Sequence, residues 1–293
     1  MRPHLFLSAV AALAITSANA ADLASGKKAP AAPVVVSPWD YTVGAGVTSN
    51  YLFRGISQSD NKPSVNANAE IRYTFSDMFT GYVGIAGSSI KLTDQPFQSP
   101  GLEFDAMGGV RATIGNFGLD VGVIGYIYPS FTTAGNAIFP TNPSFYEGYA
   151  KATYAVNDAI TVGANAFFTP SFLDTGAAGQ YISATAAWKL PNDFALSGEL
   201  GRQLFGKTDL VHAPLSTRRD LPDYTYWNVG ASYSYKIATL DLRYHDTNLS
   251  KSKCSDITGP SFPGATSVTT SSKYCNAAFV ATLSFSLQAK DVK

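Results

Sequence analysis

The stretch SVNANAEIRYTF, Ser64 to Phe75, decides the fold. Val65, Ala67, Ala69, Ile71, Tyr73 and Phe75 are apolar, and Asn66, Asn68, Glu70, Arg72 and Thr74 between them are polar. Strict period-two alternation over such a span describes a β-strand with one oily face and one wet face. The pattern recurs along the chain. Leu102, Phe104, Ala106, Val110, Ala112 and Ile114 alternate with Glu103, Asp105, Arg111 and Thr113. Ile182, Ala184, Ala186, Trp188 and Leu190 alternate with Tyr181, Ser183, Thr185 and Lys189. Leu240, Leu242 and Tyr244 alternate with Asp241, Arg243 and His245, and the segment from Ala277 to Leu287 behaves alike. Weaker members at 40–52, 79–89, 117–128, 146–154, 160–168, 194–204 and 224–235 bring the expected count to twelve strands. In 79–89 the phase is open, because Tyr82 and Val83 compete for the oily face.

The connections carry the architecture. Long ones follow residue 52 and occupy 90–101, 129–145, 169–180, 205–223 and 247–273, while short ones occupy 76–78, 115–116, 155–159, 191–193 and 236–237. Long and short alternate without exception. An even number of antiparallel strands with short turns at one end and long loops at the other describes an all-β, transmembrane up-and-down β-barrel of the outer-membrane type. The short turns and both barrel termini are then periplasmic, and the long loops extracellular. Closure removes the strand edges that lipid cannot satisfy. Aromatics fall at two heights: Tyr41, Tyr73, Phe117, Trp188 and Tyr235 near the short turns, and Tyr51, Phe104, Tyr146, Phe168, Trp227, Tyr244 and Phe279 near the long loops. Two such girdles suit a bilayer's interfaces.

Composition agrees. Of 293 residues, 14 % are charged and 45 % hydrophobic, with 21 Lys and Arg against 21 Asp and Glu, where an ordinary soluble domain carries about 25 % charge. Disorder and a bundle of membrane helices are both excluded by this balance, and a neutral chain is a poor nucleic-acid binder. Met1 to His4 is a short basic start, Leu5 to Ile15 an apolar run, and Ala18-Asn19-Ala20 an A-x-A cleavage site. Residues 1–20 therefore read as a secretory signal peptide, 21–38 as a flexible periplasmic leader, 39–288 as the barrel and 289–293 as a tail. Removing the signal leaves the mature chain near −1, since Arg2 is its only formal charge.

Export to an oxidising compartment makes a disulfide the default for Cys254 and Cys275, with Cys275 placed in the lipid-facing phase near the outer rim. Two Cys without a nearby His give too few soft ligands for a metal. No cofactor motif occurs: Gly44-Ala45-Gly46 lacks the rest of a nucleotide fingerprint. A barrel-embedded hydrolase finds no support, because His212 and His245 pair with no Ser at a recognisable spacing and no G-x-S-x-G occurs. A receptor or adhesin would use the long loops, for instance Arg218-Arg219-Asp220.

Charges facing lipid cost about 2–4 kcal/mol for Arg or Lys at the midplane, so the charged phase of each strand points inward. Its acids are Glu70, Glu103, Asp105, Asp120, Glu147, Glu199 and Asp241; its bases are Arg72, Arg111, Lys151, Lys189 and Arg243. Seven acids against five bases give a mildly cation-tolerant interior. These groups either filter small hydrophilic solutes and ions or pair with one another and fill a plugged barrel. The partners expected are outer-membrane lipids and small solutes; association between copies is left open.

The segment Ser49 to Asp60, SNYLFRGISQSD, followed by an alternating strand, resembles the TorF-type family of bacterial porins, earlier described as a family of unknown function. The acids Glu103 and Asp105, the segments Gly122–Pro129 and Phe145–Tyr154, and the closing Cys pair fit the same resemblance, which covers roughly residues 39–288. It implies an outer-membrane channel and supplies no substrate. One departure is that Gln288 to Lys293 follow the last strand, where outer-membrane barrels commonly end on an aromatic residue. Within the motif, Gly55 permits a sharp bend. Either the loop folds inward and Arg54 joins a constriction with lumen acids, or Arg54 stays at the rim.

Overall fold

The computed structural model describes residues 37–91, 101–129, 143–209, 220–258 and 271–292. The proposed signal peptide, most of the leader, His212, Arg218 and Arg219 lie outside the described residues.

Twelve strands close into one antiparallel barrel: β1 (Trp39–Thr48), β4 (Ser64–Thr74), β5 (Phe79–Ser89), β6 (Leu102–Ile114), β7 (Phe117–Ile127), β8 (Phe145–Ala155), β9 (Ile160–Thr169), β10 (Gly179–Lys189), β11 (Phe194–Phe205), β12 (Tyr224–Tyr235), β13 (Ala238–Thr247) and β14 (Ala278–Gln288). Each pairs with its neighbours in sequence, and β1 seals the sheet against β14, Thr42 facing Gln288 and Thr48 facing Thr282. Between β1 and β4 a small hairpin forms from β2 (Leu52–Phe53) and β3 (Ile56–Ser57), outside the barrel sheet. The short turns use residues that tolerate positive φ: Gly115 between β6 and β7, and Asn192 and Asp193 between β10 and β11.

The distribution of side chains is the reverse of a soluble domain. Large apolar residues such as Val65, Ile71, Val121, Ile182, Leu200 and Leu242 are exposed on the outer face, while Glu103, Asp105, Glu147 and Gln203 are among the most buried side chains. The phase of β5 is settled: Val83 is 64 % exposed and Tyr82 5 %. At the short-turn end Trp39, Tyr73 and Phe75 pack edge to face in series, and at the long-loop end Trp227, Tyr244 and Phe279 form a like series of tilted and edge-to-face contacts.

Two placements differ from the sequence reading. Tyr51 is not a girdle residue; it is buried inside the barrel mouth, because the chain leaves the β1 ladder after Thr48 and turns inward. Cys275 does not share the lipid-facing phase of β14, because that strand begins only at Ala278. Cys275 is buried and bonded to Cys254, which sits on the short helix α1 (Lys251–Thr258).

Candidate functional site

The segment Ser49–Asp60 folds into the long-loop end of the barrel and is braced by its own polar side chains. Ser57 Oγ donates to Asn50 Oδ1 at 2.7 Å, Asn50 Nδ2 donates to Asn61 Oδ1 at 3.1 Å, and the Tyr51 amide donates to Ser59 Oγ at 2.9 Å. At its tip, Phe53 faces Ile56 across a two-residue turn whose central residues, Arg54 and Gly55, have φ of 48° and 82°. Positive φ at both positions is the primed hairpin turn, which favours Asn-Gly. An Arg in this region is strained by about 1–3 kcal/mol. Gly55 is required for a second reason: a Cβ there would stand 2.5 Å from Thr247 Cγ2 and 2.7 Å from the Tyr226 ring.

Arg54 reaches across the lumen. Its two terminal nitrogens donate to Glu147 Oε1 at 2.9 Å and Oε2 at 2.6 Å, and one also donates to Gln203 Oε1 at 2.9 Å. Its guanidinium carbon lies 4.3 Å from the ring centre of Tyr181, 4.6 Å from Phe53 and 4.9 Å from Phe167. Tyr126 donates its hydroxyl to Glu147 Oε2 at 3.2 Å. Phe167, Tyr181 and Gln203 are cross-strand neighbours on β9, β10 and β11, and Glu147 lies on β8 two residues toward the long-loop end from Tyr149, the partner of Phe167.

The other charges predicted for the lumen fall into groups. Toward the short-turn end Arg111 holds Glu70 through two hydrogen bonds, at 2.7 and 2.8 Å, and Asp120 at 3.3 Å; Arg72 contacts Glu70 and Asp40. Tyr82 donates to Asp120, touches the Tyr149 hydroxyl, and carries the Arg111 guanidinium over its ring. Lys151 lies over the Tyr149 ring at 4.4 Å. On the opposite wall Arg243 binds Asp241, Asn228 Oδ1 and Ser197, while Glu199 accepts from Tyr181 at 2.9 Å and forms no ion pair among the described residues. Glu103 accepts from Tyr51 and Tyr128 rather than facing an open channel, and Asp105 is buried beside it. Lys189 is half-buried at the far end of β10. Asp40 also lies in the inward phase of β1, and Arg54 takes the inward of the two positions open to it, adding one charge to each side.

The loops lock over the inserted segment. The Ser57 amide donates to the Tyr274 carbonyl at 2.8 Å, next to the disulfide, and the Lys91 amide donates to the Gln58 carbonyl at 2.7 Å. Asp60 collects Lys62 at 2.8 Å, Lys273 at 3.3 Å and Lys91 at 3.9 Å. Burial raises the Asp60 carboxyl pKa, but the hydrogen bonds and charges of Lys62 and Lys273 outweigh it and hold the group below its ordinary value. His245 pairs with the Tyr226 hydroxyl at 2.9 Å in the wall. Asp220, the described member of the Arg218–Asp220 cluster, lies 3.5 Å from Lys207 at the surface.

The sequence profile of a family described as "Bacterial protein of unknown function (Gcw_chp)" matches residues 32–279. The chain belongs to this family. No curated protein matches it. Among solved structures it is similar to the KdgM porin, at 10 % identity over 85 % of this chain and 99 % of that one, with a TM-score of 0.43. It is also similar to the Pseudomonas putida toluene transporter TodX, at 11 % identity over 86 % and 90 %, TM-score 0.45. A third is Salmonella typhi OmpF, at 10 % identity over 85 % and 96 %, TM-score 0.38. At these identities and scores no functional statement passes from them to this member of the family.

Proposed function

We propose that this family member is an outer-membrane porin of the TorF type, a channel for small hydrophilic solutes with its narrowest point at Arg54. The observation that carries the reading is how the barrel is narrowed. Eight strands make a barrel that wall side chains can fill, and diameter grows with strand number. A twelve-stranded barrel is wider, and here a segment of the chain itself, Ser49–Asp60, crosses the mouth. Along β12, β13, β14 and β1 many inward positions are small, Ser232, Ser234, Thr239, Thr282, Ser284, Thr42 and Gly44 among them, while Tyr224, Tyr226, Arg243 and His245 also point inward. The apolar outer face and the two aromatic belts suit a bilayer. Export by residues 1–20, a periplasmic short-turn end, lipid as the outer partner and association between copies complete the proposal.

Single-channel recording of the refolded protein in a planar bilayer tests it. Discrete ion conductance is the expected result. The inserted loop also suits a permanently plugged barrel. That second reading is selected if heat-modifiable, well-folded protein passes no current, either as wild type or with the Gly55→Ala substitution that obstructs loop docking.

A further inference from the structure

The seat of Arg54 is built mostly by the barrel wall. Glu147 and Gln203 are fully buried, and with Tyr126, Phe167 and Tyr181 they belong to five consecutive strands, β7 to β11. Only Arg54 and Phe53 come from the loop. The seat matches a guanidinium rather than a cation in general. A carboxylate with both oxygens engaged by two nitrogens of one group is fork-to-fork geometry, and two aromatic rings have their centres within 5 Å of the central carbon, in cation–π range.

We infer that this wall is a binding site for guanidinium-bearing solutes, occupied at rest by the protein's own Arg54 as a tethered competitor. The inference rests on the porin reading for its role in passage, though the site itself does not need conduction. Arg54 cannot withdraw cheaply, because that leaves Glu147 buried without its charge partner. A solute that brings its own guanidinium replaces the lost pair, so the loop yields to that class more readily than to sodium or to a primary ammonium. A tether gives Arg54 an effective concentration of about millimolar, which sets the solute concentration needed to displace it.

The test uses Arg54→Gly in the full-length barrel. Glycine takes the positive φ of this position without strain, and the guanidinium seat is vacated. Ethylguanidinium should halve the current through R54G at a concentration at least tenfold below that needed of ethylammonium, and below that needed in wild type, where Arg54 still competes. The block should vanish in R54G/E147Q. Independently of current, ethylguanidinium should raise the heat-modifiability midpoint of R54G and leave that of R54G/E147Q unchanged. A midpoint shift in protein that never conducts supports the site and refutes the porin reading. Conducting R54G with neither block nor shift overturns the site and leaves the porin reading standing.

Discussion

Replacing Glu147 with Gln isolates the contact that holds the inserted loop. The guanidinium loses a charge partner on both nitrogens, at 2.9 and 2.6 Å, yet keeps one amide oxygen at position 147, the Gln203 oxygen and its aromatic neighbours. Removing one partner of a buried pair costs about 3–5 kcal/mol, and the retained acceptor puts E147Q near 3 kcal/mol. The cost falls on docking, because the loop can leave while the sheet stays closed. At 1.4 kcal/mol per tenfold, the undocked population rises about 100-fold. Trypsin reads that population directly. Within 49–63 the only basic residues are Arg54 and Lys62, and Lys62 precedes Pro63, which blocks cleavage there. The Arg54–Gly55 bond is therefore the one tryptic site in the segment, and it is buried while the loop is docked. When opening is fast relative to cleavage, the rate tracks the open population. Cutting at this bond should accelerate about 100-fold in E147Q, with heat modifiability of the barrel retained. A rate within twofold of wild type would show that the Arg54–Glu147 pair does not hold the loop.

Other consequences are as direct. Gly55→Ala should undock the loop by collision with Thr247 and Tyr226, raising mean conductance and exposing Arg54 to trypsin; an unchanged trace and digest would contradict the packing. Because the Asp60 pKa is depressed in the folded state, its contribution is present above the unfolded carboxylate pKa and lost as pH falls through the lower folded value, so hydrogen exchange of 57–62, corrected for intrinsic rate, should accelerate under acid in wild type and not in Asp60→Asn. Glu199→Gln removes a lumen acid without an ion pair among the described residues and should move the reversal potential in a salt gradient toward anions; no movement would mean that permeant ions do not sense this wall. Replacing Cys254 and Cys275 by Ser opens a loop closure worth roughly 3 kcal/mol by a disputed chain-entropy account, and since Tyr274 carries the Ser57 hydrogen bond, tryptic protection of Arg54 should weaken while the barrel persists; equal protection would detach the disulfide from the inserted loop.

Period-two alternation was enough to place the strands because a barrel wall has only two faces, and lipid and water penalise a wrong face on either. Tyr82 and Val83 could not be told apart that way, since tyrosine is welcome both in a wet lumen, where its hydroxyl finds Asp120, and at an interface. Tyr51 shares the odd phase of Val43, Ala45 and Val47 and so reads as outward, but the polar Ser49 breaks that phase and the backbone has left the ladder after Thr48. Arg54 stood out through its motif, and Glu147 through its inward phase, but nothing local joins residues 93 positions apart. Gln203 carries no charge and occupies an ordinary inward position, so no signal marked it. The loss of Glu103 from the open channel was equally hidden, because its partners Tyr51 and Tyr128 are both contributed by chain just beyond strand ends.

The separations across the mouth also order events in time. The tip of the first loop follows the first strand, yet its anchors lie 93 and 149 residues further along the chain. Contacts of such high order form late, after the intervening chain has been arranged. A barrel still lacking β10 and β11 offers the tip half a socket, and the guanidinium stays in water. Narrowing of the mouth therefore follows the placement of β8 and β11, and a wall that still lacks them is wider at this height.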